Sequence, residues 1–162
     1  MPKITPNLWF DDNGLEAAEW YVSIFPNSQV NEVTYYPEAA GDQAGTVLTV
    51  NFSLDGQPYT ILNGGPQFTF DEAISFLIDC KDQDEVDFYW EKLVEGGGEH
   101  SQCGWLKDRY GLSWQVVPAG WEEMFTDPDP DRVARAFAAM MQMSKLDKAA
   151  LEAAADGRQP AE

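Results

Sequence analysis

The sequence predicts an α+β fold made of two βαβββ modules followed by helices. Three observations predict it: a strand-then-helix pattern that occurs twice, strand segments with alternating apolar residues after each helix, and a loss of strand signals beyond Pro118. Leu8 and Phe10 precede a helical stripe of Ala18, Tyr21, Val22 and Phe25, while Phe76 and Ile78 precede one of Val86, Tyr89, Trp90 and Leu93. Each stripe residue and its counterpart lie 68 positions apart. A repeated supersecondary unit implies that neither copy buries its apolar face alone, so the matched positions are where function is to be sought.

Ile4 to Phe10 reads as the first strand, with Ile4, Pro6, Leu8 and Phe10 on one face and Thr5, Asn7 and Trp9 on the other. Asn13, with Glu16 three residues on, is placed as the cap of a helix that stops near Phe25 because Pro26 follows. Val30 to Tyr36 is a second strand and Pro37 to Gly45 a loop. Thr46 to Leu54 alternates, Asp55-Gly56 supplies a hairpin turn, and Gln57 to Leu62 returns. The second module opens with a strand from Ile74 to Cys80, and Asp82 with Glu85 has the spacing of a capping box. Its helix runs to the glycines at 96–98, and strands at His100 to Leu106 and Leu112 to Val117 flank a turn at 107–111. Asp129-Pro130 starts a helix with Val133, Phe137 and Met140/Met141 as its apolar stripe, Ser144 and Asp147 suggest a cap for a last short helix through Leu151, and Gly157 with Pro160 marks a frayed tail. The expected organisation is a single domain over 1–162, with modules at 1–66 and 67–118 and a helical appendage at 119–162.

With 162 residues, 44% of them hydrophobic and 13% aromatic, the chain is long and apolar enough to bury a core. It contains no run of eighteen apolar residues, and its first residues lack the apolar stretch of a secretory signal, so a soluble, cytoplasmic protein is expected. The formal net charge of −18 repels phosphate backbones and anionic lipid surfaces, which argues against nucleic-acid and membrane partners. Cys80 and Cys103 are the only cysteines, too few for a disulfide scaffold.

The stretch Gln102-Cys103-Gly104-Trp105-Leu106-Lys107-Asp108-Arg109-Tyr110-Gly111-Leu112-Ser113-Trp114-Gln115-Val116-Val117-Pro118 resembles the signature of the PhnB-like proteins, a branch of the vicinal oxygen chelate (glyoxalase and bleomycin-resistance) superfamily. Thr5 to Phe10 and Glu16 to Ser28 are similar to that branch's opening, and Met143, Leu146, Asp147 and Leu151 to its closing helices. The resemblance implies paired modules whose mixed sheets curl around a cavity, and commonly a homodimer. Many such proteins carry a demethylubiquinone methyltransferase label. Methyl transfer from a nucleotide-like donor calls for a glycine-rich turn between a strand and a helix, whereas Gly64-Gly65 precedes no helix directly and the glycines at 96–98 follow one.

In metal-using relatives such as glyoxalase I, four cavity-facing positions on the first and last strand of each module hold a divalent ion through His or Glu. Carried over, the first-strand positions fall at Asn7 and Ser75, and alignment of the hairpin glycines Gly56 and Gly111 puts the last-strand positions at Thr60 and Gln115. All four are neutral hydrogen-bonding groups without the charge that strips water from a transition metal. No metal, no cofactor and no catalytic residue are assigned. Trp9, on Asn7's face, and Trp105 complete the candidate ligand-binding set as aromatic walls, a lining suited to a neutral or weakly polar molecule. His100 is placed facing solvent, on the opposite face from Cys103. Two functional readings follow: a binding protein for a small organic molecule, or a lyase, isomerase or dioxygenase whose metal sits at a non-canonical or intersubunit site near His100.

Overall fold

The structure, a computed structural model, describes residues 3–158 and divides into two compact units, 1–69 and 70–162. Pro160 of the expected tail lies outside the described residues.

The first unit contains β1 (Asn7–Phe10), α1 (Gly14–Ile24), β2 (Gln29–Tyr35), β3 (Val47–Leu54) and β4 (Gln57–Asn63), with a 3-10 turn at Glu38–Gln43 inside the expected loop. Its sheet has the order β1-β4-β3-β2; β1 and β4 run parallel and the other pairs antiparallel. The β3–β4 hairpin closes at Asp55 and Gly56, both at positive φ (47° and 80°), as a two-residue turn with a right-handed strand twist requires. Alternation decides the faces. Leu8, Phe10, Val50, Phe52 and Ile61 are buried with Ala17, Ala18, Tyr21 and Ile24 of α1, so Asn7, Trp9, Asn51 and Thr60 belong to the face turned away from the helix.

The start of α1 differs from expectation. Asn13 makes no capping bond with its side chain; the buried Asn63, at the end of β4, does the work instead. Its Oδ1 accepts from Gly14 N at 2.9 Å, and its Nδ2 donates to the Asp12 and Val47 carbonyls. A β-carbon on Gly14 would collide with Ile61 and Asn63, so helix and strand approach more closely there than any other residue allows. A cap signal read from local spacing missed a partner 49 residues away.

The second unit contains β5 (Ser75–Cys80), α2 (Gln83–Lys92), β6 (Glu99–His100), β7 (Trp105–Lys107), β8 (Ser113–Pro118), α3 (Trp121–Phe125), α4 (Pro130–Met140) and α5 (Lys148–Ala155). The sheet order β5-β8-β7-β6, with β5 and β8 parallel, repeats that of the first unit. Asp82 caps α2 by accepting from Glu85 N at 2.9 Å, and Glu85 reaches back to Lys81 N, as its spacing implied.

The strand expected from His100 to Leu106 is two short strands. Between them Cys103 and Gly104 take positive φ (59° and 83°), because their amides are drawn off to the Met143 and Ser144 carbonyls at 2.8 Å each. Leu146, fully buried, seats against Gly104, and Gln83 clamps the same C-terminal segment through the Leu146 carbonyl and the Lys148 amide. The α4 stripe is also corrected: Ala136 is its buried residue, while Phe137 and Met141 are about half exposed. Asp147 caps α5 by accepting from Ala150 N.

One carboxylate organises the connection between β7 and β8. Asp108, 2% exposed, accepts from the Tyr110 and Leu112 amides and from Trp114 Nε1 at 2.8, 3.1 and 2.9 Å. Truncation would strand three donors, so Asp108→Ala is expected to lower unfolding stability by about 3 kcal/mol, read by urea denaturation followed by tryptophan fluorescence.

Candidate functional site

The register of the first sheet assembles a polar row on its open face. Asn7 is the Cα partner of Thr60, Thr60 of Asn51, and Asn51 of Glu32. Thr60 Oγ1 donates to Asn51 Oδ1 at 2.9 Å, and Asn51 Nδ2 donates to Glu32 Oε2 at 3.4 Å. Two residue pairs further along, the Thr34 and Thr49 hydroxyls bond each other at 2.5 Å. A cavity of about 700 Å³ opens here, lined on its polar side by Thr5, Asn31, Glu32, Asn51 and Thr60. Pro58 supplies an apolar edge on the same face; Phe52 and Tyr59 border the cavity from the strands, but they are Cα partners on the helix side of the sheet, where their rings stack at 5.4 Å between centroids. Burial raises the Tyr59 hydroxyl's pKa above its ordinary value of 10.0, which keeps it a neutral phenol.

Trp9 occupies a different place. Its Nε1 donates to the Gly65 carbonyl at 2.8 Å, its ring meets Phe68 edge-on at 4.9 Å, and Gly64 leaves room for that ring. The indole thereby ties the 64–68 segment to β1.

In the second unit Ser75 and Gln115 meet, with Gln115 Nε2 donating to Ser75 Oγ at 2.9 Å, and Trp105 is the Cα partner of Gln115. The residue opposite Ser75 across the parallel pair is nevertheless Ser113. Gly56 belongs to a two-residue turn, whereas Gly111 belongs to a five-residue connection between Lys107 and Ser113, so counting four residues from each glycine lands at different places. Ser113 is 1% exposed and its hydroxyl has no partner among the described residues. Lys107, its other cross-strand neighbour, is held in an ion pair by Glu72.

Glu32, Asn51 and Ser113 were missed by the sequence reading. Asn51 was legible, because the alternation of 47–54 already put it on the face opposite Val50 and Phe52. Glu32 was not, because the β2 register is shifted between Val30 and Glu32, and no local pattern marks such a bulge.

His100 is exposed at the end of its short strand, but its ring stacks on Trp90 at 4.2 Å with an interplanar angle of 2°, and Nε2 bonds the Trp90 carbonyl at 2.8 Å. A carbonyl only accepts, so Nε2 carries the proton and is committed. Cys103 Sγ lies 3.5 Å from the Met140 carbonyl and 3.8 Å from Met141 Sδ. Cys80 is buried, and that burial, reinforced by Glu85, Asp79 and Asp82, pushes its thiol from an ordinary 9.0 up to about 12. Among the described residues no three His, Cys, Asp or Glu side chains gather as a metal-holding group. The neutral set Asn7, Thr60, Ser75 and Gln115 does not fit a transition metal.

Residues 2–117 match the family model described as 3-demethylubiquinone-9 3-methyltransferase. A PhnB protein from Bacillus cereus, described by that same activity, is similar over 73% of this chain and 100% of its own, with 32% identity and a TM-score of 0.66. Protein PA1353 from Pseudomonas aeruginosa shares the fold at 17% identity and a TM-score of 0.60, over 74% of this chain and 98% of that one. The fosfomycin resistance protein FosX from Listeria monocytogenes does so at 19% and 0.53, over 75% and 94%. No curated protein matches the chain.

Two outcomes are expected from these side chains. Ser113→Ala removes a desolvated hydroxyl that returns no hydrogen bond, so stability rises by about 1 kcal/mol, seen as a melting temperature about 2–4 °C higher by calorimetry. Cys80 resists alkylation by iodoacetamide at pH 8 in the folded protein and reacts once urea is added. Because its folded-state pKa is raised, the stability tied to its protonated form is whole below pH 9 and declines as pH climbs toward 12.

Proposed function

The chain belongs to the 3-demethylubiquinone-9 3-methyltransferase (PhnB-like) family of the vicinal oxygen chelate superfamily, and from that premise we propose that it binds a small organic molecule on the open face of its first sheet. The observation that carries this reading is the cavity beside the Thr60–Asn51 pair, where directed hydrogen-bonding groups stand next to the apolar ring of Pro58. Concave, partly apolar sites with a few oriented polar groups are the usual form of small-molecule pockets. Asn7 extends the polar row along β1, and Ser75, Gln115 and Trp105 form the matching open-face group of the second unit.

Binding, rather than methyl transfer, is the reading we adopt. Gly64 and Gly65 lead into an irregular segment and then β5, and the glycines at 96–98 follow α2, so neither set opens a helix as a nucleotide-donor turn does. The proposal includes a homodimer in the cytoplasm. Among the described residues no helix is long and apolar enough to cross a membrane.

A thermal-shift screen against a metabolite library tests the reading. A ligand of the native state raises the melting temperature by mass action. At least one compound is expected to do so, and Asn51→Leu, which breaks the row while leaving the core face untouched, should weaken it about tenfold or more. Hits that bind Asn51→Leu as well as the parent chain would remove this cavity from the reading. Light scattering that returns a single chain mass would remove the dimer.

A further inference from the structure

Hydrogen-bond direction in the first unit's cavity selects the chemistry of its occupant. A carboxylate only accepts, so Asn51 must turn its NH₂ toward Glu32, and its Oδ1 then faces Thr60. Thr60 has one proton and gives it to Asn51 Oδ1, which leaves lone pairs alone on the cavity side of its hydroxyl. Glu32 polarises the chain from one end, and both exposed ends of that chain accept. Among the described residues no lysine or arginine lines the cavity, and Glu32 is its one charged group. Pro58, two residues before Thr60 on the same strand face, adds an apolar surface beside these acceptors.

We propose that the cavity of the first unit takes an organic cation, a protonated amine or guanidine on an apolar body, whose N–H groups bridge Glu32 and Thr60. The neutral lining expected from Asn7 and Thr60 thus gains a charged selector. The chain's formal charge of −18 favours approach of cations and disfavours anions, so the field of the whole molecule acts in the same sense as the site. This proposal rests on the binding reading of the same cavity.

Three probes with one ring and different tails test it: tryptamine, tryptophol and indole-3-acetate, titrated into ¹⁵N-labelled protein. Shifts are read at the Asn31, Glu32, Asn51 and Thr60 amides. Tryptamine is expected to bind about tenfold tighter than tryptophol, with indole-3-acetate weakest. Glu32 is exposed, so Glu32→Gln keeps the fold, and it should bring tryptamine within about threefold of tryptophol; Glu32→Lys should invert the order in favour of indole-3-acetate. The single-charge change in Glu32→Gln leaves the long-range field nearly intact, which separates the local carboxylate from general attraction. Equal binding of the three probes, or a tryptamine preference that survives Glu32→Gln, overturns the cation proposal while leaving the cavity as a binding site. Absence of shifts at all four amides with every probe overturns the binding reading beneath it.

Discussion

Parallel pairing of the first strand with the last is the constraint from which each unit takes its form. Such a pair cannot be closed by a tight turn, so β1 must be followed by a crossover, and α1 supplies it while covering one face of the sheet. Once that face is sealed by Leu8, Phe10, Val50 and Ile61 against the helix, every second residue of every strand is committed to the other side. The row Asn7, Thr60, Asn51 and Glu32 is a consequence of that commitment, since none of the four contacts another in sequence. The second unit obeys the same rule through β5, β8 and α2, and presents Ser75, Ser113, Gln115 and Lys107.

The two units secure the same plan with different chemistry. In the first, α1 begins on an amide borrowed from β4, and Gly14 permits the contact. In the second, α2 carries its own capping box, and a buried carboxylate, Asp108, is placed in the connection between β7 and β8. A satisfied buried polar group favours one arrangement over its competitors, because any other leaves its partners desolvated and unpaired. The second unit's β6 and β7 are short because the C-terminal segment takes the amides of Cys103 and Gly104, and that loss of ladder is recovered through Leu146, Gln83 and the ion pair of Lys145 with Asp87. Lys145 also holds the Asp87 carboxyl below its usual range, with Gln83 assisting.

The chemistry of the open faces follows from which residue types stand in the rows. Amides and hydroxyls hold direction but not charge, so a network of them takes its polarity from whatever ion touches its end. Glu32 is that ion in the first unit. In the second, Lys107 is neutralised by Glu72, and the hydroxyl of Ser113 stays out of the network between Ser75 and Gln115. The two faces therefore differ in electrostatic character although their backbones repeat.

Local pattern determined most of the scaffold: the order of strands and helices, the Asp55-Gly56 hairpin, the caps at Asp82 and Asp147, and the faces of β1 and β3 all follow from period, turn residues and spacing, which are properties of neighbours in the chain. Family membership was equally legible, because the stretch from Gln102 to Pro118 is long and specific. What only the tertiary structure decided involves partners far apart in sequence: the capture of Gly14 by Asn63, the broken strand at Cys103, the placement of Ser113 opposite Ser75, and the position of Glu32 beside Asn51. Each depends on a register or a loop length, and a sequence read one window at a time carries no term for the contact that sets either.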